Sequence, residues 1–341
     1  MAPFEKPPVG DSGSAGTLGS AGALRDEIGD RVRYRIVRKI AEGGMGAVYE
    51  AVLEGSDGFT KTVAIKAIRP ELTSDRAFVE MFIAEAKLSA ALVHQNIVQI
   101  YQLGQTEGVY YMAMEYVEGV HLADFIARHT EQRLDLPIDL AVYILSRVAR
   151  GLEYAHKKRD REGRLLGVVH RDVSPKNVIL AREGFVKLAD FGIAKARTLQ
   201  KDLEGEVLMG KVRYMSPEQA TFLPTDARSD LFSLGIVAYE LLTGQVVFGA
   251  DSTTRVIDAV SRRPVEPLQR LRRDVPAEVS RIVMKSLERD PARRYQDAGE
   301  FALDLEQFIY HDRFGPTVVT LEKYLLGLFP ERFPPPDAMR T

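Results

Sequence analysis

Two carboxylates and an amide stand close together in the sequence, in HRDVSPKN at 170–177 and LADFG at 188–192. Asp172 can accept the proton of an attacking hydroxyl, as a general base does. Asn177 and Asp190 offer hard oxygen atoms of the kind that magnesium prefers as ligands. Asp, Asn, Gly and Pro are also common in ordinary surface turns. The two segments together, in this order, favour a site for phosphoryl transfer over a pair of unrelated turns.

Three upstream features could complete such a site. The segment IAEGGMGAVY at 40–49 contains glycines that let backbone N–H groups approach phosphates, although glycines also serve ordinary hairpins. VAIK at 63–66 places Lys66 in a strand-like run. The alternative is that Lys66 is an ordinary exposed lysine on a strand. Glu85 lies in FIAEAKL, within a segment whose apolar residues recur at helical spacing. Each signal is weak alone, and their order upstream of Asp172 favours one common site.

Together these segments resemble the eukaryotic-like, or Hanks-type, serine/threonine protein kinases of bacteria. The resemblance implies transfer of the γ-phosphate of ATP, with Mg²⁺, to a Ser or Thr hydroxyl of a protein in bacterial signalling. It implies Asp172 as the catalytic base, with Asn177 and Asp190 as the metal ligands. It also implies that Lys66 contacts the α and β phosphates and that Glu85 is the partner of this lysine.

The resemblance also predicts where ATP binds. YYMAMEYVEG at 110–119 resembles the kinase hinge, with Met114 as the gatekeeper residue and the backbone of Glu115 and Val117 facing adenine. Ala41 stands where the family has the first glycine of its glycine-rich loop. The complete set of predicted nucleotide-contacting residues is Ile40, Ala41, Glu42, Gly43, Gly44, Met45, Gly46, Val48, Ala64, Lys66, Met114, Glu115 and Val117.

The sequence departs from the family pattern at two positions of the site. Residue 174 is serine, where the family carries a catalytic-loop lysine that contacts the γ-phosphate. Residue 211 is lysine, where the family has a threonine near the catalytic aspartate. We predict that Lys211 supplies the missing cation as a further catalytic residue, with Lys176 as the second candidate and two solvated lysines as the alternative. Ser174 and Lys211 also leave the choice of hydroxyl less defined than the kinase activity.

Two other functions are alternatives to an active protein kinase. A pseudokinase that binds ATP as a scaffold or adaptor would account for Ala41, Ser174 and Lys211, but not for the retained metal ligands. A kinase of small molecules is a third possibility. MSPEQA at 215–220 resembles the peptide-docking end of an activation segment, which a small substrate does not need. We therefore expect protein substrates.

Two further contacts are implied by the resemblance and are structural. Glu218, in MSPEQA, is expected to pair with Arg294 in DPARRY at 290–295. Asp230, in RSDLFSLG at 228–235, is expected to hold the backbone of the catalytic loop. Both contacts would join segments that lie far apart in the sequence.

The elements that must position these residues divide the chain into two lobes of an α+β protein kinase fold. Strand-like runs dominate early, and helical patterns dominate late. The small, β-rich lobe with one helix extends to about residue 114. The predicted divisions are a flexible tail at 1–29, a catalytic domain at 30–312 with its hinge at 115–117 and its mainly helical large lobe at 118–312, and a C-terminal extension at 313–341.

The extension carries a short amphipathic helix, predicted from TVVTLEKYLLGLF at 317–329. An apolar helix face has to be covered by something. The helix could recruit a partner protein or a second copy of the chain. Docking on the large lobe of its own chain is the favoured interpretation.

Composition narrows the possible partners and compartment. The 341 residues carry a formal net charge of −2, which leaves no electrostatic footprint for nucleic acid. The absence of cysteine excludes disulfides and thiolate catalysis and is compatible with the cytoplasm. The apolar stretch at 231–250 is long enough to span a membrane, but Glu240 interrupts it and the preceding motif assigns it to a buried helix. We expect neither a membrane span nor a nucleic-acid partner.

Overall fold

The computed structural model describes residues 27–28, 33–44, 46–191, 212–311 and 314–334. The elements of the small lobe are β1 (Glu27–Ile28), β2 (Arg33–Glu42), β3 (Gly46–Glu54), β4 (Thr60–Ile68), α1 (Arg76–Ala90), β5 (Ile100–Thr106) and β6 (Val109–Glu115). The strands form one antiparallel sheet in the order β1-β2-β3-β4-β6-β5. The single helix α1 connects β4 to β5.

Helix α1 packs against the sheet through its apolar face. It begins after Asp75, whose side chain accepts hydrogen bonds from two backbone N–H groups of the first turn. Phe78 and Phe82 lie in one apolar cluster with Met112 of β6. Glu85 follows these phenylalanines at helical spacing, so that it lies on the same inward face and is only 3% exposed.

The large lobe follows a short connection after Glu115. Its elements are β7 (Gly119–His121), α2 (Leu122–Gln132), α3 (Ile138–His156), β8 (Val178–Ala181), β9 (Val186–Leu188), α4 (Pro217–Ala220), α5 (Ala227–Thr243), α6 (Thr253–Arg262), α7 (Leu268–Leu271), α8 (Ala277–Ser286), α9 (Ala298–Tyr310) and α10 (Val318–Leu328). Strands β7, β8 and β9 form a second, small antiparallel sheet in that order.

One large apolar cluster fills the large lobe. One face of α3 is buried throughout, at Val142, Leu145, Val148, Ala149, Leu152 and Ala155. Every residue of α5 from Ser229 to Leu242 is buried except Glu240, which accepts a hydrogen bond from the Tyr214 hydroxyl at 2.6 Å. Within the described parts of the chain, no helix combines the length and apolar character that crossing a membrane requires.

Helix α10 packs on its own large lobe, as the favoured interpretation had it. The side chain of Thr317 caps its first turn. The Tyr324 hydroxyl lies 2.8 Å from Nε2 of His129 on α2. Three leucines at helical spacing join the core of the large lobe, namely Leu321, Leu325 and Leu328. The apolar face that a partner could have covered is therefore covered within the molecule.

The start of α10 also lies against the turn between β8 and β9. Gly184 in this turn has φ +83°, a left-handed conformation that favours glycine. A Cβ atom at this position would lie 1.9 Å from the carbonyl oxygen of Val318, the first residue of α10. The absence of a side chain at Gly184 is what allows the two backbones to approach so closely.

The predicted pair of Glu218 and Arg294 is present and buried. Arg294 donates from Nη1 to Oε1 of Glu218 at 2.7 Å and from Nη2 to Oε2 at 2.9 Å. Burial raises the pKa of Glu218, but the hydrogen bonds from Arg294 and Ser229 outweigh this effect and hold it below its ordinary value. The same guanidinium donates to the carbonyls of Glu288, Arg228 and Arg289, so that it joins several parts of the large lobe.

Candidate active site

One face of the small-lobe sheet brings together four of the predicted nucleotide-contacting residues. Lys66 of β4 lies opposite Val48 of β3 and Met112 of β6. Residues directly opposite each other in a sheet point to the same face, so these three side chains are neighbours. Ala64 lies two residues before Lys66 on that face and opposite Met114. The sheet register therefore unites Val48, Ala64, Lys66 and Met114.

Lys66 connects the two lobes through its ammonium group. Its Nζ lies 3.1 Å from Oε1 of Glu85 on α1 and 2.8 Å from Oδ1 of Asp190. Burial lowers the pKa of Lys66, but the carboxylates of Asp190 and Glu85 outweigh this effect and hold it above its ordinary value. The lysine is therefore charged, and its ammonium group lies next to the predicted metal ligand Asp190.

Asp190 is positioned by a turn directly after β9. Its φ is +56°, a left-handed conformation that Asp tolerates better than most residues. Next to it, the Ala189 N–H donates to the carbonyl of Asn177 at 2.8 Å. Phe191 is buried, and its ring centroid lies 4.5 Å from that of His170 in the catalytic loop. The segment after β9 is thus fastened to the loop that carries Asp172.

Asn177 and Asp172 are held together within the catalytic loop. The Asn177 amide nitrogen donates to the backbone oxygen of Asp172 at 2.7 Å and to its Oδ2 at 2.8 Å. Because the nitrogen is committed to Asp172, the amide oxygen is the atom that Asn177 can offer to a metal. Oxygen donors on Asn177 and Asp190 fit Mg²⁺, which proteins usually bind through one or two side chains together with substrate phosphates.

Asp230 fixes the backbone of the catalytic loop, as the sequence predicted. Its two carboxylate oxygens accept hydrogen bonds from the backbone N–H groups of His170 at 2.7 Å and Arg171 at 2.8 Å. His156 adds a contact from Nε2 at 2.8 Å. Burial raises the pKa of Asp230, but these partners, His156 foremost, hold it below its ordinary value. The buried carboxylate supports Arg171 at φ +63°, one residue before Asp172.

The glycine-rich turn joins β2 to β3. The Gly43 N–H donates to the carbonyl of Gly46 at 2.9 Å. A Cβ atom at Gly43 or Gly44 would meet nothing within 4 Å, so the space beside the turn is open to a ligand. At Gly46 a Cβ atom would lie 2.0 Å from the Ala67 carbonyl, which gives this glycine a packing role between β3 and β4. The other predicted residues of this segment are exposed in β2, at Ile40, Ala41 and Glu42, while Met45 lies outside the described residues.

The hinge contains an ion pair that the sequence did not reveal. Nζ of Lys187 on β9 lies 2.7 Å from Oε1 and 2.8 Å from Oε2 of Glu115. This pair ties the hinge, which continues to Val117, to the strand that leads to Asp190. No sequence signal distinguishes Lys187 from a solvated strand lysine, because its partner lies in another lobe. The buried ring of Phe191, in contrast, belongs to the LADFG segment and could have been read from it.

The predicted replacement cation, Lys211, lies outside the described residues, so its role as a catalytic residue stays a prediction. Ser174 is half-buried in the catalytic loop, and Lys176, the second candidate, has an exposed side chain. Because its side chain is exposed, Lys176 would have to turn inward to reach the γ-phosphate.

The two lobes, joined by a hinge and sharing a lysine with carboxylates from both sides, define the class of this molecule as a protein kinase fold. A family model described as the protein kinase domain matches residues 34–307. The chain therefore belongs to the protein kinase domain family.

The curated relatives are bacterial kinases. The chain is 41% identical over 298 residues to tyrosine-protein kinase MasK of Myxococcus xanthus, which covers 87% of this chain and 46% of that protein. It is 33% identical over 301 residues to serine/threonine-protein kinase PrkC of Bacillus subtilis, which covers 87% of this chain and 44% of that protein. The chain thus spans about half the length of these relatives. The predicted resemblance to bacterial Hanks-type kinases is confirmed.

Solved structures support the same fold. The crystal structure of the PknI kinase domain of Mycobacterium tuberculosis superimposes with a TM-score of 0.62 at 27% sequence identity. The match covers 84% of this chain and 99% of the PknI chain. The predicted α+β bilobal fold is therefore confirmed.

Proposed function

We propose that the chain is an active protein kinase that transfers the γ-phosphate of ATP to a Ser or Thr hydroxyl of protein substrates in bacterial signalling. One observation carries this proposal: Lys66 bonds to both Glu85 and Asp190, while the amide of Asn177 bonds to Asp172. These contacts hold the groups for phosphate binding, metal binding and proton acceptance in one cleft. A pseudokinase scaffold would not require all of them.

Each residue has a separate task in this proposal. The Lys66 ammonium holds the α and β phosphates, and Glu85 keeps its side chain in place. Asn177 and Asp190 hold Mg²⁺, which neutralises charge on the phosphates when bound. Asp172 accepts the proton of the attacking hydroxyl, and the bond from Asn177 orients its carboxylate. Because Asp230 fixes the loop backbone in advance, little reorganisation is needed during transfer.

In this proposal, ATP binds between the sheet of the small lobe and the large lobe. Val48 and Ala64 form the apolar surface for adenine, and the backbone of Glu115 and Val117 provides its polar edge contacts. The open turn at Gly43 and Gly44 covers the phosphates. The Lys187 pair with Glu115 supports this placement, since it ties the hinge to the segment that carries the metal ligand.

The proposed organisation keeps the catalytic domain at 30–312 and the extension at 313–341, with the tail at 1–29. The packing of α10 supports counting the extension to Phe333 as part of the same folded unit, because Phe333 and Phe329 are buried. We place the domain in the cytoplasm, on the ground that ATP and protein substrates are found there. A dimer or partner protein held by α10 is not proposed, because its apolar face is covered.

The proposal is tested by removing each charged group in turn. Lys66→Met and Asp190→Ala should abolish transfer of labelled phosphate from ATP, since each removes charge stabilisation from the site. Asp172→Asn should slow transfer by about a hundredfold or more, as expected for a positioned general base. Circular dichroism should show that all three variants fold. Full activity in one variant would contradict the role of that residue, and an inactive wild-type chain would favour the pseudokinase.

Tyrosine is the second candidate acceptor. Two observations favour it: Ser174 replaces the lysine typical of serine/threonine kinases, and the relative MasK is named a tyrosine-protein kinase. Peptides that differ only in a central Ser, Thr or Tyr separate the two candidates. We expect the Ser and Thr peptides to be phosphorylated faster, as measured by mass spectrometry. A faster reaction of the Tyr peptide would overturn this part of the proposal.

A further inference from the structure

The turn that follows α4 has an unusual residue at its sharpest point. The N–H of Leu223 donates to the carbonyl of Glu218 at 2.8 Å, and the N–H of Phe222 donates to that of Gln219 at 3.2 Å. This pair of bonds is the Schellman motif, which ends many helices and requires one residue in the left-handed conformation. That residue is Phe222, with φ +57°.

Phe222 is a costly choice for this position. Glycine is the usual residue because any Cβ atom is strained there, and a bulky side chain is a genuine outlier. Burial of the ring offsets only part of this cost, since Phe222 is 52% exposed. The apolar residue that follows such a turn commonly packs back on its helix. Here Leu223 is 60% exposed instead.

The turn is fastened to the catalytic loop. The side chain of Gln219 donates from Nε2 to the carbonyl of Arg171 at 3.0 Å, and Arg171 precedes Asp172. Phe222 is three residues after Gln219, so their Cα atoms are at most about 11 Å apart. The bond from Gln219 therefore links the turn that carries Phe222 and Leu223 to the loop that carries Asp172.

We propose that Phe222 and Leu223 form a docking surface for an apolar side chain of the protein substrate, a few residues away from the accepting hydroxyl. The inference rests on the proposed kinase function and names a feature of its substrates. The ring of Phe222 is exposed to such a side chain, and the bond from Gln219 to the Arg171 carbonyl fastens the turn to the catalytic loop. We assign the strained and exposed Phe222 to contact with the protein substrate.

The size of the surface favours a substrate segment over a second copy of the chain. Two partly exposed side chains offer no more than a few hundred Å² of apolar area. A stable subunit interface buries roughly 800 Å² on each partner. One apolar side chain of an extended peptide, in contrast, can be accommodated by two neighbours. Asp226 and Arg228, which follow shortly in the sequence, pair with each other at 2.7 Å, so this pair adds no net charge to the segment.

Short peptides with one leucine moved through the flanking positions test the proposal. Two series are needed, one with a central Ser and one with a central Tyr, each with a leucine-free parent. Binding to the full chain is followed by fluorescence anisotropy, and transfer by labelled phosphate. Leucine at one preferred position should tighten binding about tenfold over the parent peptide, as burial of one such side chain allows. In Phe222→Asn, which keeps a residue that tolerates the turn, this gain should fall below about twofold.

The controls separate the possible failures. Phe314→Asn removes another exposed aromatic residue, 93% exposed and remote in sequence, and should keep the tenfold gain. Equal binding of all peptides by the wild type, or an unchanged gain in Phe222→Asn, overturns the proposal. Loss of a dimer in Phe222→Asn by light scattering, with the peptide gain unchanged, assigns the surface to a second copy and also overturns it. Selective binding without phosphate transfer contradicts only the proposed kinase function.

Stability gives an independent measure of the strain. Phe222→Gly should raise the melting temperature by about 1–3 °C, because glycine adopts the left-handed conformation without strain. The same variant should lose the leucine-dependent gain in peptide binding. A lower melting temperature would show that the ring stabilises the fold, and the argument for an external role would fail.

Discussion

At the scale of single residues, the site supplies positive charge unevenly. Lys66 is held by two carboxylates at the inner end of the cleft, where the α and β phosphates are proposed to bind. In the catalytic loop, Ser174 is neutral and Lys176 is exposed. Serine at 174 therefore leaves the charge of the transferred phosphoryl group to be met by a residue at another position.

We predict that Lys211 is this residue. An ammonium about 4 Å from a phosphate oxygen, at an effective dielectric constant near 20, gains on the order of 4 kcal/mol before desolvation. Lys211→Ala should therefore lower kcat strongly while the KM for ATP changes little. Ser174→Lys in the same background should restore part of the lost kcat. Steady-state kinetics with a peptide substrate provides both constants.

The exposed Lys176 supplies the matched control for this experiment. Lys176→Ala removes the same charge from the neighbouring loop and should change kcat much less. A larger loss of kcat in Lys176→Ala would assign the cation to that residue instead. A loss confined to peptide affinity in Lys211→Ala would show a lysine that binds acidic substrates.

At the scale of elements, α10 supports α2 and the hairpin of β8 and β9. His129 donates from Nδ1 to the carbonyl of Phe125, so that its neutral ring has Nε2 as an acceptor. The Tyr324 hydroxyl supplies the matching proton at 2.8 Å. Arg128 donates to the carbonyl of Leu328 at 3.2 Å, which satisfies one of the unpaired carbonyls at the end of α10. Helix α10 is thus bonded to α2 at two points.

Tyr324→Phe measures how much this docking contributes to stability. The variant keeps the ring and removes the hydroxyl, so that Nε2 of His129 loses its donor. An unsatisfied buried acceptor costs about 1–3 kcal/mol, which should lower the melting temperature by several degrees. Val319→Ser, on the exposed side of the same helix, should change the melting temperature little. An unchanged melting temperature in Tyr324→Phe would contradict the proposed contribution of α10.

At the scale of the whole molecule, Arg294 joins the segment that carries the substrate-docking turn to the rest of the large lobe. Arg294 is 2% exposed, and its guanidinium bonds to Glu218 with both terminal nitrogens. A buried ion pair is costly to break, because the remaining charge stays without its partner. We therefore expect the large lobe to depend on this pair more than on any exposed pair of comparable distance.

The acid sensitivity of the fold provides the test. The pKa of Glu218 is below its ordinary value in the folded chain, so the folded state binds fewer protons than the unfolded state. Its contribution is present at neutral pH and is lost as the pH falls below about 4. Glu218→Gln should therefore lower the melting temperature at pH 7, and its difference from the wild type should shrink in acid.

An exposed pair provides the control for this pH series. Glu278 lies 2.7 Å from Arg281, and both side chains are about half exposed. Such a pair is worth about 0–1 kcal/mol, so Glu278→Gln should change the melting temperature little at any pH. An equal effect of the two substitutions would show that burial of the Glu218 pair adds nothing. Arg294→Met should cost more than Glu218→Gln, about 3–5 kcal/mol.

Sequence reasoning succeeded where short segments determine both residue type and position. Lys66, Asp172 and Asp190 were located because each belongs to a compact motif, and their contacts follow from the fold that those motifs imply. The bond between Tyr324 and His129 could not be predicted, since it depends on how α10 docks after the large lobe has formed. The strain at Phe222 was also out of reach, because no local rule places phenylalanine in a left-handed turn.

Gly184 shows how one element can restrict the residues that another element accepts. Any other residue at this position meets two obstacles, the left-handed backbone and the Val318 carbonyl of α10. In a chain without α10 only the first obstacle remains, and asparagine or aspartate would become acceptable. A saturation library at this codon should therefore recover Asn and Asp only when the extension is deleted. Helix α10 therefore determines which substitutions the hairpin of β8 and β9 can accept at Gly184.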